Sequence, residues 1–123
     1  MKLIILPWLL IGILLNAGAQ LLLKAGSQRI SDTAFTIANI FPMGIQLATN
    51  PFILIGIIFY VVSMLIWIGV LSRVDVSVAY PMISLGYIVN AIAAYYLFGE
   101  ALSLSRVTGL FIILVGVYLV AQS

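Results

Sequence analysis

Four long apolar stretches constrain what this chain can fold into. They cover about residues 3–23, 51–71, 74–98 and 104–120. Each supplies the ~20 residues that an α-helix needs to cross ~30 Å of hydrocarbon. Hydrophobic residues make up 65% of the sequence and charged residues only 7%, whereas soluble domains carry about 25% charged residues. We therefore predict an all-α membrane protein, a single-domain bundle of four transmembrane helices.

The connections between these stretches predict which helices are neighbours. The two later connections, around residues 72–73 and 99–103, are short and predict antiparallel neighbours. The first connection, residues 24–50, is much longer and mixes charged and turn-forming residues with apolar ones. Because such a mixture is typical of an amphipathic helix at the membrane interface, we predict a short interfacial helix within it.

The composition also excludes several classes of function. The chain contains no cysteine and no histidine, which excludes disulfides and metal sites built from thiolates or imidazoles. The net charge of +2 is too small to indicate nucleic-acid binding. The three acidic residues fall near helix ends, without a nucleophile and base pair or a glycine-rich phosphate loop. We expect neither an enzyme nor a bound cofactor or metal.

The basic residues leave the orientation of the chain open. Lys2 and Arg73 fall on the side of the N-terminus, and Lys24, Arg29 and Arg106 fall on the other side. Cytoplasmic loops usually hold the excess of lysine and arginine, so a two-to-three split permits either orientation. Two copies could pair antiparallel, or a partner subunit could fix one orientation.

A polar stripe runs along the first predicted helix. Gly12, Asn16, Gln20 and Lys24 recur every four residues, which places them on one face. Polar groups inside a membrane are costly and usually have a partner or a function. We interpret Asn16, Gln20 and Lys24 as substrate-binding residues. The alternative is that the two amides hydrogen-bond a neighbouring helix while the lysine extends to the lipid headgroups.

The second predicted helix carries Gly56, Tyr60, Ser63 and Trp67 on one face. An aromatic ring in the middle of a helix can stack on a sugar or an apolar ring, so we take Tyr60 and Ser63 as candidate substrate-binding residues. Trp67 lies one turn from the helix end, where tryptophan is typical of the interfacial belt. Belt and packing is therefore the preferred interpretation for Trp67.

The third predicted helix is the most polar. One face carries Ser77, Tyr80, Ser84, Tyr87 and Asn90 or Ala91, and of these Tyr80, Ser84 and Tyr87 are candidate substrate-binding residues. Pro81 removes a backbone donor and frees a carbonyl in the preceding turn. In a membrane such a break survives beside protein or a wet cavity. We predict a gate at Pro81, the alternative being a kink that only improves packing.

The fourth predicted helix is almost free of polar atoms. Gly109 and Gly116 stand seven residues apart on it. Small residues at this spacing let two helix backbones approach closely, so we assign them to dimerisation, with packing inside one subunit as the alternative. Four helices enclose little volume for a lipid headgroup, and alternating access usually needs two halves, which also favours a dimer.

Several runs resemble the four-helix members of the drug/metabolite transporter superfamily. They are residues 16–24 (NAGAQLLLK), 78–85 (VAYPMISL), 97–100 (LFGE) and 109–117 (GLFIILVGV). The resemblance covers nearly the whole chain apart from the long first connection. It implies a bundle of the small multidrug resistance type.

Two branches of this superfamily compete. In the small multidrug resistance branch a glutamate on the first helix exchanges protons for cationic drugs, and alignment through Lys24 places Asn16 at that position. Tyr80 matches that branch's substrate-contacting tyrosine, but Ile83 stands where its tryptophan would be. The missing carboxylate weighs against proton-coupled drug efflux.

The second branch comprises the small subunits that flip aminoarabinose-phosphoundecaprenol and related carriers of polyprenyl-phosphate sugars. Residues 79–85 (AYPMISL) and Glu100 resemble this branch more. It implies a flippase in the bacterial inner membrane that acts on a polyprenyl-phosphate-linked sugar, as a homodimer or as a heterodimer with a paralogous subunit.

The charged residues can be given roles within that second branch. Lys24 and Arg73 are candidates to attract the phosphate. Glu100 is a substrate-binding candidate for the ammonium group of an amino sugar, although an ion pair with Arg106 is the preferred structural alternative, as Arg73 with Asp75 is at the other end. Efflux of lipophilic cations and an accessory role in a larger membrane complex remain the alternative functions.

Overall fold

The computed structural model describes residues 3–30 and 36–123, with the side chain of Arg29 outside the described part. Lys2 also lies outside it, so the charge balance predicted above is not tested at those two residues. The helices are α1 (Leu6–Ser27), α2 (Ile37–Thr49), α3 (Pro51–Leu71), α4 (Val76–Met82), α5 (Leu85–Phe98) and α6 (Leu104–Gln122). A short 3₁₀ turn, Gln28–Ile30, follows α1.

Four of the apolar segments are long enough to cross a membrane: α1, α3, the combined segment Val76–Phe98 and α6. The prediction of an all-α protein with four membrane spans is thereby confirmed. The first span ends later than the predicted 3–23, because the helix continues through Ser27. Lys24 therefore lies in the last turn of α1 and not in the connection that follows.

Helix α2 occupies the second half of the long first connection, where the sequence predicted a short helix. Its exposed residues include large apolar side chains, Ile37, Ile40, Phe41 and Ile45. Its position at the membrane interface stays a prediction. Asn50 forms the corner between α2 and α3, where its Oδ1 accepts a hydrogen bond of 2.9 Å from the backbone N–H of Phe52 and caps α3. Pro51 suits the first turn because that position needs no backbone donor.

The same asparagine fastens the corner to α1. Asn50 Nδ2 donates a hydrogen bond of 3.2 Å to the carbonyl oxygen of Gly26. The Asn50 side chain is only 2% exposed, and both ends of its amide are bonded, as a buried polar group requires. The carboxyl end of α1 and the start of α3 are thus joined by a polar contact inside the protein.

Helices α1 and α3 form the main packing pair, and small residues allow their close approach. On α1, Gly12, Ala19 and Gly26 recur every seven residues and are all buried. On α3, Gly56 is buried against α1, and a Cβ there would meet the carbonyl oxygen of Ala19 at 3.3 Å. This is the small-residue packing that brings helices together in membranes. A cluster of buried side chains closes the end of the bundle nearest the N-terminus: Ile5, Leu9, Ile13, Val70, Ala79, Met82 and Val117.

The third span is broken just after Pro81. Helix α4 ends at Met82 and α5 begins at Leu85. Across the break the backbone uses hydrogen bonds three residues apart, from Ile83 N–H to the Tyr80 carbonyl at 3.1 Å and from Ser84 N–H to the Pro81 carbonyl at 3.0 Å. The interruption expected at the proline is present. It lies on the carboxyl side of Pro81, where the helix tightens into a single 3₁₀-like turn.

Helix α6 is attached loosely to the other helices. It packs against α4 and α5, with Val117 as its buried residue. The loop before it starts at Gly99, whose φ of 68° is left-handed and ends α5. A residue with a Cβ is disfavoured in this conformation, so glycine is required for the chain to turn here.

Candidate functional site

Two cavities with polar walls lie along α1, and they divide the predicted site residues between them. The central cavity, of about 300 Å³, lies halfway along α1. The end cavity, of about 330 Å³, lies near the carboxyl end of α1. The polar stripe on α1 contributes to both, because Asn16 faces the first while Gln20 and Lys24 face the second.

The central cavity brings together residues from three helices. Its polar and aromatic walls are formed by Asn16, Tyr60, Ser63, Trp67 and Tyr80. Tyr60 and Tyr80 are 43% and 67% exposed, so both phenol groups are accessible to a ligand. Trp67, for which an interfacial position was expected, also forms part of this wall. Three aromatic rings and one amide make the cavity suited to a ligand that combines apolar faces with hydroxyl groups.

Ser63 lies at the central cavity but uses its proton elsewhere. Its Oγ donates a hydrogen bond of 2.9 Å to the carbonyl oxygen of Gly12 on α1, and the side chain is buried. A hydroxyl group has only one proton to donate. Ser63 is therefore occupied in holding α3 to α1, and only its lone pairs are left for a ligand.

The end cavity collects most of the charge described on this side of the protein. Its polar residues come from α1, α5 and the loop and first turn of α6: Gln20, Lys24, Tyr87, Asn90, Glu100 and Arg106. Lys24 Nζ lies 3.9 Å from Glu100 Oε2. Helix α1 and the loop after α5 thus place an amine and a carboxylate beside each other in the wall of one cavity.

The ion pairs predicted from nearness in the sequence are wrong. Glu100 pairs with Lys24 of α1, and Arg106 Nη1 instead donates a hydrogen bond of 2.8 Å to the carbonyl oxygen of Ala101. At the other end, Arg73 Nη1 donates to the carbonyl oxygen of Gly69 at 3.3 Å and to Ser72 Oγ at 3.2 Å, and not to Asp75. Arginine has enough donors to satisfy nearby carbonyl oxygens when α-helix ends leave these unpaired.

Asn90 and Arg106 are the polar residues of the end cavity that the predicted site omitted. The Asn90 Oδ1 atom is buried and has no hydrogen-bond partner in the described part of the protein. An unpaired acceptor of this kind is costly and calls for an explanation. The signal for Asn90 in the sequence is its spacing, because it lies three residues after Tyr87 on the same helical face.

The remaining predicted residues lie outside both cavities. Ser84 is half-buried in the break between α4 and α5, and Pro81 lies in the last turn of α4. Arg73 borders a third cavity of about 610 Å³, which is otherwise lined by apolar residues and a glycine near the start of α1 and the end of α3. Gly109 and Gly116 lie on α6, where a Cβ would meet no other atom within 4 Å.

Comparison with known proteins gives relatives that match almost the whole chain. The chain is 35% identical over 126 residues to a protein of Proteus mirabilis (strain HI4320) that bears the name probable 4-amino-4-deoxy-L-arabinose-phosphoundecaprenol flippase subunit ArnF. This match covers 94% of the chain and 90% of the relative. A protein of the same name from Enterobacter sp. (strain 638) is 34% identical over 118 residues, covering 92% of the chain and 91% of the relative.

A shorter match concerns the companion subunit. A protein of Erwinia tasmaniensis, with the name probable 4-amino-4-deoxy-L-arabinose-phosphoundecaprenol flippase subunit ArnE, is 47% identical over 55 residues, which is 45% of this chain and 51% of the relative. The chain thus shares sequence with both kinds of subunit. No protein-family model and no solved structure matches it.

Proposed function

The chain belongs to the family of 4-amino-4-deoxy-L-arabinose-phosphoundecaprenol flippase subunits, and from this premise we propose that it translocates a polyprenyl-phosphate-linked sugar across the bacterial inner membrane. The observation that carries the proposal is the pair of cavities along α1, to whose walls several polar side chains contribute. They are set in a protein whose exposed surface is otherwise rich in large apolar side chains. A headgroup that must cross hydrocarbon needs polar partners along its route, because each unsatisfied polar group costs several kcal/mol there.

The two cavities suit such a headgroup at successive positions along its route. In the central cavity Asn16, Tyr60 and Tyr80 offer amide and phenol groups to sugar hydroxyls. In the end cavity Lys24 offers a positive charge to the phosphate, with Gln20 and Tyr87 nearby. Ser84 lies in the backbone break beside Pro81. We assign it to the path that the headgroup takes past the gate at Pro81. The prenyl chain stays in the lipid.

A second subunit completes the site in this proposal. Each cavity is at the lower end of the ~300 to 1,000 Å³ typical of ligand sites, so one chain offers little room for a sugar phosphate. The relatives are named as subunits, and Gly109 and Gly116 leave α6 able to approach another helix closely. The partner is a second copy or a paralogous chain, in keeping with the similarity to both kinds of subunit.

The central cavity also supports a second candidate function. Tyr60, Trp67 and Tyr80 present three aromatic rings, and aromatic faces attract lipophilic cations. However, Asn16 occupies the position where the drug-exporting branch has a carboxylate, and the described lining of this cavity holds no carboxylate. For the sugar carrier we propose movement down the gradient of its lipid, without proton exchange.

Ligand-dependent thermal stability tests the proposal, because a ligand that binds the folded protein raises its melting temperature. The purified protein is heated with undecaprenyl-phosphate aminoarabinose or with a panel of lipophilic quaternary ammonium cations. We expect stabilisation by the lipid-linked sugar and its loss in Asn16→Leu and Tyr80→Phe. Tyr118→Phe is the matched control, since Tyr118 is an exposed tyrosine on α6 that borders neither cavity.

Two results would redirect the assignment. Stabilisation by the cations alone would support efflux of lipophilic cations. Movement of the lipid-linked sugar in liposomes that appears only with another, unrelated polypeptide would support an accessory role. Movement with this chain alone, or with a paralogous small subunit, supports the carrier.

A further inference from the structure

We propose that the Lys24–Glu100 pair makes the end cavity selective for headgroups that carry both a phosphate and an ammonium group. Headgroups with a phosphate alone are disfavoured. This inference rests on the proposed function and adds to it the residues that decide which lipid-linked sugars are accepted.

The ion pair between Lys24 and Glu100 is weak and can separate at little cost. The Nζ to Oε2 distance of 3.9 Å is long for an ion pair, and the two side chains are 51% and 43% exposed. Pairs with this exposure contribute little to stability, because water solvates both charges well. Separating Lys24 from Glu100 therefore costs the folded protein little, and either group can turn to a ligand.

The positions of the two residues allow one headgroup to form an ion pair with each of them. Lys24 stands in the last turn of α1, and Glu100 follows the left-handed Gly99 that ends α5. A ligand in the end cavity meets an amine and a carboxylate side by side. A zwitterionic headgroup replaces one ion pair by two, phosphate with Lys24 and ammonium with Glu100.

A headgroup with only a phosphate binds less favourably. It forms an ion pair with Lys24, but it must lie within a few ångströms of the Glu100 carboxylate, which has lost its partner. Like charges at this distance repel. Glu100 thus acts against the wrong ligand as well as for the right one, which is how specificity is commonly achieved.

Asn90 adds a hydrogen-bond acceptor to the end cavity. Its buried Oδ1 can only accept a hydrogen bond and has no partner. A phosphate oxygen without a proton cannot supply a donor, whereas an ammonium group supplies three. Among the described residues Asn90 Oδ1 therefore lacks a donor, which the ammonium group or a hydroxyl group of an amino sugar can supply.

The test compares two ligands that differ at one nitrogen. Binding of undecaprenyl-phosphate aminoarabinose to the purified full-length protein is measured beside binding of the same lipid with its amine N-acetylated. We expect the wild type to prefer the free amine by about tenfold, as for one good charge-assisted contact in a partly exposed site. This comparison uses only the wild-type protein, so its result does not depend on whether a substitution is tolerated.

Variants then assign the preference to the pair. In Glu100→Gln the preference should fall below about twofold, mainly because the N-acetylated lipid binds more tightly once the repulsion is gone. Lys24→Gln should weaken both lipids. Asp75→Asn, which removes an acid at the opposite end of the bundle, is the control and should leave the ratio unchanged.

The outcomes separate this inference from the proposed function. Equal binding of both lipids by the wild type, or an unchanged ratio in Glu100→Gln, overturns the selectivity but leaves the sugar carrier standing. Failure of the wild type to bind either lipid overturns both. Tighter binding of the N-acetylated lipid in Glu100→Gln supports the repulsive role, which a purely structural ion pair would not produce.

Discussion

The hydroxyl group of Ser63 on α3 reaches across to α1 and donates a hydrogen bond of 2.9 Å to the carbonyl oxygen of Gly12. Gly12 has no side chain to separate the helices, and the nearest atom to a Cβ at that position would be Cγ2 of Ile66 at 3.4 Å. The bond therefore links two backbones that are already close. It lies at the edge of the central cavity, so the rotation of α3, and with it the position of Tyr60, depends on it.

Ser63→Ala should destabilise the protein without removing any charge. Hydrogen bonds between membrane helices contribute ~0.6 to 2 kcal/mol, and we expect a loss of about 1 kcal/mol in the free energy of unfolding. Unfolding by a denaturing detergent measures it. Ser72→Ala is the control, because that exposed hydroxyl donates to Gly69 on its own helix. An equal loss in both variants would mean that the bond to Gly12 has no special weight.

Gly26→Ala should separate α1 from α3. A Cβ at Gly26 would lie 2.6 Å from Cδ1 and Cγ1 of Ile53, which is itself buried, and 3.3 Å from the Ile53 backbone nitrogen. Overpacking of this kind costs about 1 to 3 kcal/mol. The same substitution at Gly69, where a Cβ meets no atom within 4 Å, should be neutral or stabilising by up to about 1 kcal/mol because alanine favours the helix. The melting temperatures of the two variants test this. A melting temperature of Gly26→Ala at or above that of the wild type would contradict the close packing.

Gly116→Leu tests the assignment of α6 to dimerisation. The subunit itself has room for the larger side chain, since nothing lies within 4 Å of a Cβ at Gly116. If the partner helix packs there, leucine should shift the association equilibrium toward the monomer by about tenfold or more. Light scattering or cross-linking in detergent measures the shift. Val115→Leu, an exposed position on another face of α6, should leave association unchanged, and an unaffected Gly116→Leu would move the interface elsewhere.

Pro81→Ala tests the gate. Alanine restores a backbone donor and allows α4 and α5 to join into one helix. We expect translocation of the lipid-linked sugar to slow by about tenfold, while its binding changes by less than about threefold, because conformational steps often limit turnover. Translocation in liposomes and binding in detergent give the two values. Pro51→Ala, at the first turn of α3, should alter neither, and an equal loss of binding in Pro81→Ala would assign the proline to the site instead of the gate.

The sequence predicts the spans well because crossing a membrane depends on a local property, the length of an apolar run. The same is true of the break after Pro81, since proline acts on its own helix. The polar stripe on α1 lines the two cavities, and its role in substrate binding stays a prediction. Its division between two cavities was not foreseen, because that depends on how α5 and the loop before α6 pack against α1.

The partners of charged and hydroxyl groups were harder to predict. Glu100 was paired with Arg106 because the two are close in sequence, yet Lys24, far away in the chain, is the residue that reaches it. Alternation of the spans does place all three on one side of the bundle, but the choice among them depends on the loop conformation set by Gly99. Likewise the face shared by Ser63 and Tyr60 was evident from their spacing, whereas the contact of Ser63 with Gly12 depends on the rotation of two helices about their axes.

The unequal packing of the four spans has a consequence for how the protein is made. In α1, 28% of the residues in the apolar window are buried, against 6% in α6. Once inserted, α1 and α3 can therefore dock within a single copy, while α6 gains little from its own chain. A newly synthesised subunit without a partner would keep this helix accessible to the membrane proteases that remove unassembled proteins. We therefore expect the cellular amount of the protein to follow the supply of the subunit with which α6 assembles.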